Sequence, residues 1–86
     1  MKKGVAGTLE SNDALITVYE NDKLEIEISS IVYDFFKDEI EKVIKDTLTQ
    51  LKIDKIKVVI VDKGALDYTI KARLVTAIKR MEKANA

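Results

Sequence analysis

Ser11 is the residue whose type and setting could do chemistry most directly. It lies in Glu10-Ser11-Asn12-Asp13, a run of turn formers between two apolar stretches, where a hydroxyl faces solvent and can be reached. No base accompanies it, so taken alone Ser11 reads as a turn residue. A second group, Asp34, Asp38, Glu39 and Glu41, has the carboxylates for paired acid–base work or a divalent cation. Lysines interleave with these acids as they do on the wet face of a helix, and a solvated face accounts for them. The third candidate is Asp62-Lys63-Gly64-Ala65-Leu66-Asp67, a strand-to-helix passage of the kind whose backbone amides can hold a phosphate. Its one glycine does not give the spacing of a P-loop or dinucleotide turn, and a turn with Asp67 as helix N-cap is sufficient. Tyr19, Tyr33 and Tyr68 could stack on bases, but they fall in three separate elements without basic neighbours in a common strand pattern, and packing at the edge of the core is the expectation for them.

Composition narrows the chemistry further. The 86 residues, 47% hydrophobic and 35% charged, suit one globular domain spanning residues 1–86. With no cysteine and no histidine there is no disulfide framework, no thiolate or imidazole metal site, and neither the usual base near neutral pH nor the usual strong nucleophile. Neither a catalytic residue nor a metal site is therefore assigned. Fifteen basic residues against fifteen acidic ones leave a formal charge of zero, so no basic field draws the chain to nucleic acid or an anionic membrane. Met1-Lys2-Lys3 is basic, but no signal-peptide core follows it, and no apolar run approaches the roughly 18 residues of a membrane span. A cytoplasmic location is the expectation.

Periodicity supplies the elements that must position these groups. Residues 5–9 read as a first strand, and residues 14–19, rich in β-branched and aromatic types, as a second. Leu24, Ile26 and Ile28 alternate with Glu25, Glu27 and Ser29 in a third, and Glu20-Asn21-Asp22-Lys23 predicts that the second and third form a hairpin. From Ile31 the period changes. Val32, Phe35, Phe36, Ile40, Val43, Ile44, Thr47, Leu48 and Leu51 trace a helix of about five turns, with Ser29 or Ser30 as its N-cap. Val58-Val59-Ile60-Val61 predicts a strand shielded on both faces. Leu66, Ile70, Leu74, Ala77, Ile78 and Met81 then form the stripe of a last helix, with cations late in it where the dipole is negative. The order is β-β-β-α-β-α: an α+β domain in two layers, a small mixed sheet with two helices on one face.

Two of the weak segments are informative together. Gly4-Val5-Ala6-Gly7-Thr8-Leu9-Glu10-Ser11-Asn12-Asp13 resembles the N-terminal signature A-G-T-[LE]-[EL]-S-x-D of the citrate lyase acyl carrier proteins, the small γ subunits of that enzyme. Asp62-Lys63-Gly64-Ala65-Leu66-Asp67-Tyr68-Thr69-Ile70-Lys71-Ala72-Arg73-Leu74 resembles the same family's second signature, D-K-G-A-L-D-x-x-[IL]-[RK]-A-R-[VL]. Many relatives have glycine after the serine; here it is Asn12, the next most tolerant residue for a positive φ.

The resemblance implies a mechanism that composition leaves open. In this family the matching serine, here Ser11, carries 2′-(5″-phosphoribosyl)-3′-dephospho-coenzyme A through a phosphodiester, and the arm ends in the thiol that the chain lacks. It implies that acetyl and citryl groups ride on this thiol. An acyl-transferase (α) subunit exchanges acetyl for citryl, a lyase (β) subunit cleaves citryl to oxaloacetate, and a prosthetic-group transferase loads the serine. The carrier breaks no bond itself. The carrier of malonate decarboxylase has the same arm and a related serine motif; a module that docks partners without any prosthetic group, and an esterase using Ser11, are the other readings.

Overall fold

The computed structural model describes residues 2–30 and 33–84, with residues 33–36 described by their backbone alone. Four strands and two helices follow one another as β1 (Lys3–Ala6), β2 (Ala14–Glu20), β3 (Glu25–Ser30), α1 (Tyr33–Gln50), β4 (Ile56–Asp62) and α2 (Asp67–Lys83). This is the α+β order read from periodicity. The strands form one mixed sheet in the order β1-β2-β4-β3, with β4 antiparallel to β2 and parallel to β3.

Alternation decides which face is covered. Ala14, Ile16 and Val18 of β2 and Ile56, Val58 and Ile60 of β4 are fully buried, while their odd-and-even neighbours Leu15, Thr17, Val59 and Val61 are half-buried on the other face. The buried face packs against Ile40, Ile44 and Leu48 of α1 and Ile70, Leu74, Ala77 and Ile78 of α2, which recur at helical spacing. Both helices therefore lie on one face and the other is open. Thr47, the buried polar residue within the α1 stripe, is satisfied because its hydroxyl donates to the Val43 carbonyl at 2.8 Å.

Several expectations are corrected. β2 and β3 are not a hairpin, because β4 lies between them and pairs with both along its length. The turn chemistry of residues 20–23 reverses the chain, but the most β-branched strand takes the centre, where it gains neighbours on both sides. The two-sided shielding expected of residues 58–61 is likewise one-sided: Val58 and Ile60 are buried, and Val59 and Val61 are only half so. β1 ends at Ala6 rather than residue 9, since Gly7 turns the backbone at φ +94°. Ser29 and Ser30 belong to β3, and the Ser30 hydroxyl donates to Asp62 at 2.9 Å. Ile31 and Val32 lie outside the described residues. Leu51 falls beyond α1 and is exposed. Among the described residues, no helix is long and apolar enough to cross a membrane.

The layers approach most closely at β1. Gly4 pairs with Val18 and lies under α2, and a Cβ at this position would run into the Ala77 carbonyl oxygen and come within 2.6 Å of the Met81 nitrogen. Only a glycine lets the helix backbone sit there. Gly4→Ala is expected to lose about 1–3 kcal/mol, as overpacking does, and to lower the melting temperature by about 4–8 °C per kcal/mol. A thermal melt equal to that of the wild-type chain would show that α2 can lift from β1 without cost.

Candidate functional site

The antiparallel pairing of β2 with β4 puts Ala14 opposite Asp62, so the loop that enters β2 and the loop that leaves β4 are side by side. Their backbones are joined. The Asn12 amide donates to the Lys63 carbonyl at 2.7 Å, and the Lys63 amide donates to the Asp13 carbonyl at 2.8 Å. Within the first loop the Asp13 amide donates to the Glu10 carbonyl at 3.1 Å, closing a turn over Ser11. Asn12 takes the left-handed conformation at φ 67°, as its side chain permits. Ser11 is thus exposed, outside regular structure, and on a backbone held from both sides. Among the described residues its hydroxyl makes no hydrogen bond. The turn expected at residues 10–13 is part of a longer loop, residues 7–13, folded back so closely that a Cβ on Gly7 would meet the Ala14 carbonyl oxygen.

The Asp13 carboxylate holds this loop together. Arg73 donates to it in a bidentate pair, Nε to Oδ1 at 2.9 Å and Nη2 to Oδ2 at 3.0 Å; the Thr8 hydroxyl donates at 2.8 Å and the Ala14 amide at 2.7 Å. Thr8 in turn accepts from the Glu10 amide at 3.2 Å. The Arg73 hydrogen bonds, then those from Thr8 and the Ala14 amide, favour the ionised form and hold the Asp13 carboxyl well below the usual carboxylate range. The same pair raises Arg73. An acid of the first signature and an arginine of the second, 60 residues apart in sequence, are therefore direct partners.

The second loop is built on Asp62, not Asp67. Asp62 is 2% exposed; its Oδ1 accepts the Ala65 amide at 2.9 Å and its Oδ2 accepts the Ser30 hydroxyl. Gly64 turns the chain at φ +93°, a conformation that costs a residue with a Cβ energy. Asp67 was expected to cap α2. Leu66 holds the N-cap position without a side-chain bond, and Asp67 is instead the acid in the first turn.

Comparison with known proteins decides the family. The chain is 42% identical over 79 residues to a citrate lyase acyl carrier protein of Treponema denticola, covering 92% of this chain and 91% of that one. It is 51% identical over 77 residues to a protein of the same name in Lactiplantibacillus plantarum, covering 88% and 80%. The chain belongs to the citrate lyase acyl carrier protein family. A broader family model, described as "ACP: Malonate decarboxylase delta subunit (MdcD)", matches residues 1–81. The fold is shared with a chain of a Pseudomonas malonate decarboxylase hetero-tetramer solved with malonate, at TM-score 0.81 and 15% identity over 93% of this chain and 84% of that one. The Staphylococcus aureus RNase P protein shares it more loosely, at TM-score 0.51 and 14% identity over 87% and 79%.

The acyl carrier geometry brings together Ser11 and the second signature and leaves the other candidates apart. Asp38 and Glu39 are exposed on α1, Glu41 pairs with Lys45 at 3.1 Å, and no group of three or more acids able to hold a metal occurs among the described residues. Tyr19 is half-buried on the open sheet face, but Tyr68 is 72% exposed on α2, against the expectation of core-edge packing; the Tyr33 and Asp34 side chains lie outside the described ones. Arg73 went unnoticed in the sequence as a site residue. Its signal was an arginine fixed within the second signature without an acid nearby in sequence.

The Asp13 shift sets a pH dependence. Because the folded-state value is depressed, the stabilisation is complete above the unfolded value, near 3.8, and is lost as pH falls through the folded one. In urea melts, the stability difference between wild type and Asp13→Asn should be constant above about pH 5 and shrink progressively below about pH 4. A difference that stays flat into that acid range would mean that Arg73 and Thr8 do not act on the ionised carboxylate.

Proposed function

We propose that this chain is the acyl carrier subunit of citrate lyase, with Ser11 as the point at which a phosphoribosyl-dephospho-coenzyme A arm is attached covalently. The observation that carries the reading is an exposed serine, its hydroxyl unbonded among the described residues, on a turn pinned to the second signature by two backbone hydrogen bonds. An attachment point needs both features. The hydroxyl must be reachable by a modifying transferase, and the backbone beneath it must keep a bulky substituent off the core. The bound arm would supply the terminal thiol, and so the acyl-carrying chemistry, that a chain without cysteine lacks.

The chain's own residues act by presentation. Asp13 is committed to Arg73, Thr8 and the Ala14 amide, so it is a poor base toward Ser11, which argues for a carrier and against an esterase. Asn12 and Asp13 fix the direction in which Ser11 leaves the surface. Tethering raises the effective concentration of the acyl group at the acyl-transferase and lyase subunits, which we take as the carrier's partners in the cytoplasm, and this is the carrier's contribution to rate. Nucleic acid is not among those partners in this reading, in keeping with the balanced charge. The family description and the structural likeness also favour a second reading, the carrier of malonate decarboxylase. The D-K-G-A-L-D segment and the relatives' names support citrate lyase over it.

Ser11→Ala tests the reading directly. Removing an exposed hydroxyl should change stability by no more than about 0.5 kcal/mol. Intact-mass measurement after incubation with the prosthetic-group transferase and its donor should give an adduct on the wild-type chain and none on the variant, and citrate cleavage by the reconstituted complex should fall to background. Citrate cleavage that persists with Ser11→Ala, in the absence of added thioester, would remove Ser11 from its role. Malonate decarboxylation without citrate cleavage by the loaded wild type would select the second reading.

A further inference from the structure

The loop beside Ser11 leads onto an unusual stretch of surface. Leu66 and Tyr68 are 59% and 72% exposed, the two most exposed of the large apolar or aromatic side chains among the described residues, and they flank Asp67 at the start of α2. On one side of them lies a hollow of about 280 Å³ with Ile40, Ala65 and Ile70 in its lining and Glu39 at its edge. On the other lies a hollow of about 220 Å³ with Val43, Asp46 and Lys71 in its lining. Asp67 lines both, so the two form one strip between α1 and α2. Gly64 lines the first hollow, next in sequence to Lys63, whose backbone holds the Ser11 turn.

The charge on this strip is one-sided. Among the described residues Glu39, Asp46 and Asp67 form no ion pair, and Lys71 is the one cation lining either hollow. On the open sheet face, by contrast, Glu27 is met from within the chain by Lys57 at 3.4 Å. Apolar side chains left in water beside unmatched carboxylates suit a partner that brings an apolar projection ringed by cations.

We propose that the strip from Glu39 across Leu66, Asp67 and Tyr68 is the surface on which a catalytic subunit of the carrier's enzyme docks, through a basic-rimmed apolar projection. The inference rests on the carrier reading, and it adds where the partner sits. Docking there sets the subunit against the loop that holds Ser11, so whatever Ser11 bears leaves the surface at the edge of the interface.

The citrate lyase acyl-transferase and lyase subunits of Lactiplantibacillus plantarum, whose own carrier is 51% identical to this chain, serve as probes. Each is titrated into the isotope-labelled full chain, and affinities are measured for wild type, Leu66→Ser, Tyr68→Ser, the double variant Glu39→Lys with Asp67→Lys, and Glu27→Lys as a control on the sheet face. Melts establish that each variant is folded. For at least one subunit, each strip variant should weaken binding tenfold or more, salt should weaken wild-type binding, and amide shifts should centre on Ile40, Ala65 and Ile70, with Glu27→Lys unchanged. The shifts test the site without any substitution. Unchanged affinity in the strip variants, or shifts centred on the sheet face, would overturn the docking surface. A chain that takes the arm on Ser11 yet binds neither subunit would overturn it too and leave the carrier reading standing; a chain that neither binds nor is loaded would overturn both.

Discussion

Because β2 runs antiparallel to β4, the start of one strand is tied to the end of the other, with Ala14 opposite Asp62. Every feature of the candidate site depends on that pairing. It brings the loop of residues 7–13 against the loop that follows β4, lets two backbone hydrogen bonds cross between them, and puts Arg73, one turn and a half into α2, within reach of Asp13. The pairing is secured from below by Ile16, Val18, Val58 and Ile60, all fully buried on the face that the helices cover. Core packing thus holds the position of a surface turn.

The turn itself is made rigid by polar means. A loop exposed to water has little apolar area to bury, so its order has to come from directed bonds. Asp13 supplies the largest share, with one carboxylate accepting from Arg73, Thr8 and the Ala14 amide while Thr8 also accepts from the Glu10 amide. The ionised acid is what these donors favour, and an acid so engaged is stabilised for structure at the expense of reactivity. Ser11 lies inside this network and takes no part in it. Among the described residues its hydroxyl makes no bond, so replacing it breaks no part of the network.

The two helices divide the labour around that point. α2 packs so closely on β1 that Gly4 is required beneath it, and Arg80 donates to the Val5 carbonyl at 2.7 Å, tying the last turn of the helix to the edge strand. α1 completes the core through Ile40, Ile44 and Leu48 and presents acids on its outer side. Where the beginning of α2 meets α1 the packing is incomplete, and Leu66 and Tyr68 remain in water.

Element type was determined by the sequence itself: the alternation in residues 24–28, the helical stripes through Ile40, Ile44 and Leu48 and through Ile70, Leu74 and Ile78, and the turn formers around Ser11 each give a local period or a local backbone preference that holds whatever the neighbours are. The positive φ of Asn12 was legible from its residue type, whereas that of Lys52 was not. What only the tertiary structure decided was adjacency. No local period says that β4 would enter between β2 and β3, that Asp13 would find Arg73, or that Asp62 rather than Asp67 would order the last loop. Those outcomes depend on which surfaces bury best together, a property of the whole chain: the most β-branched strand takes the centre of the sheet, and the loops at its end meet as a result.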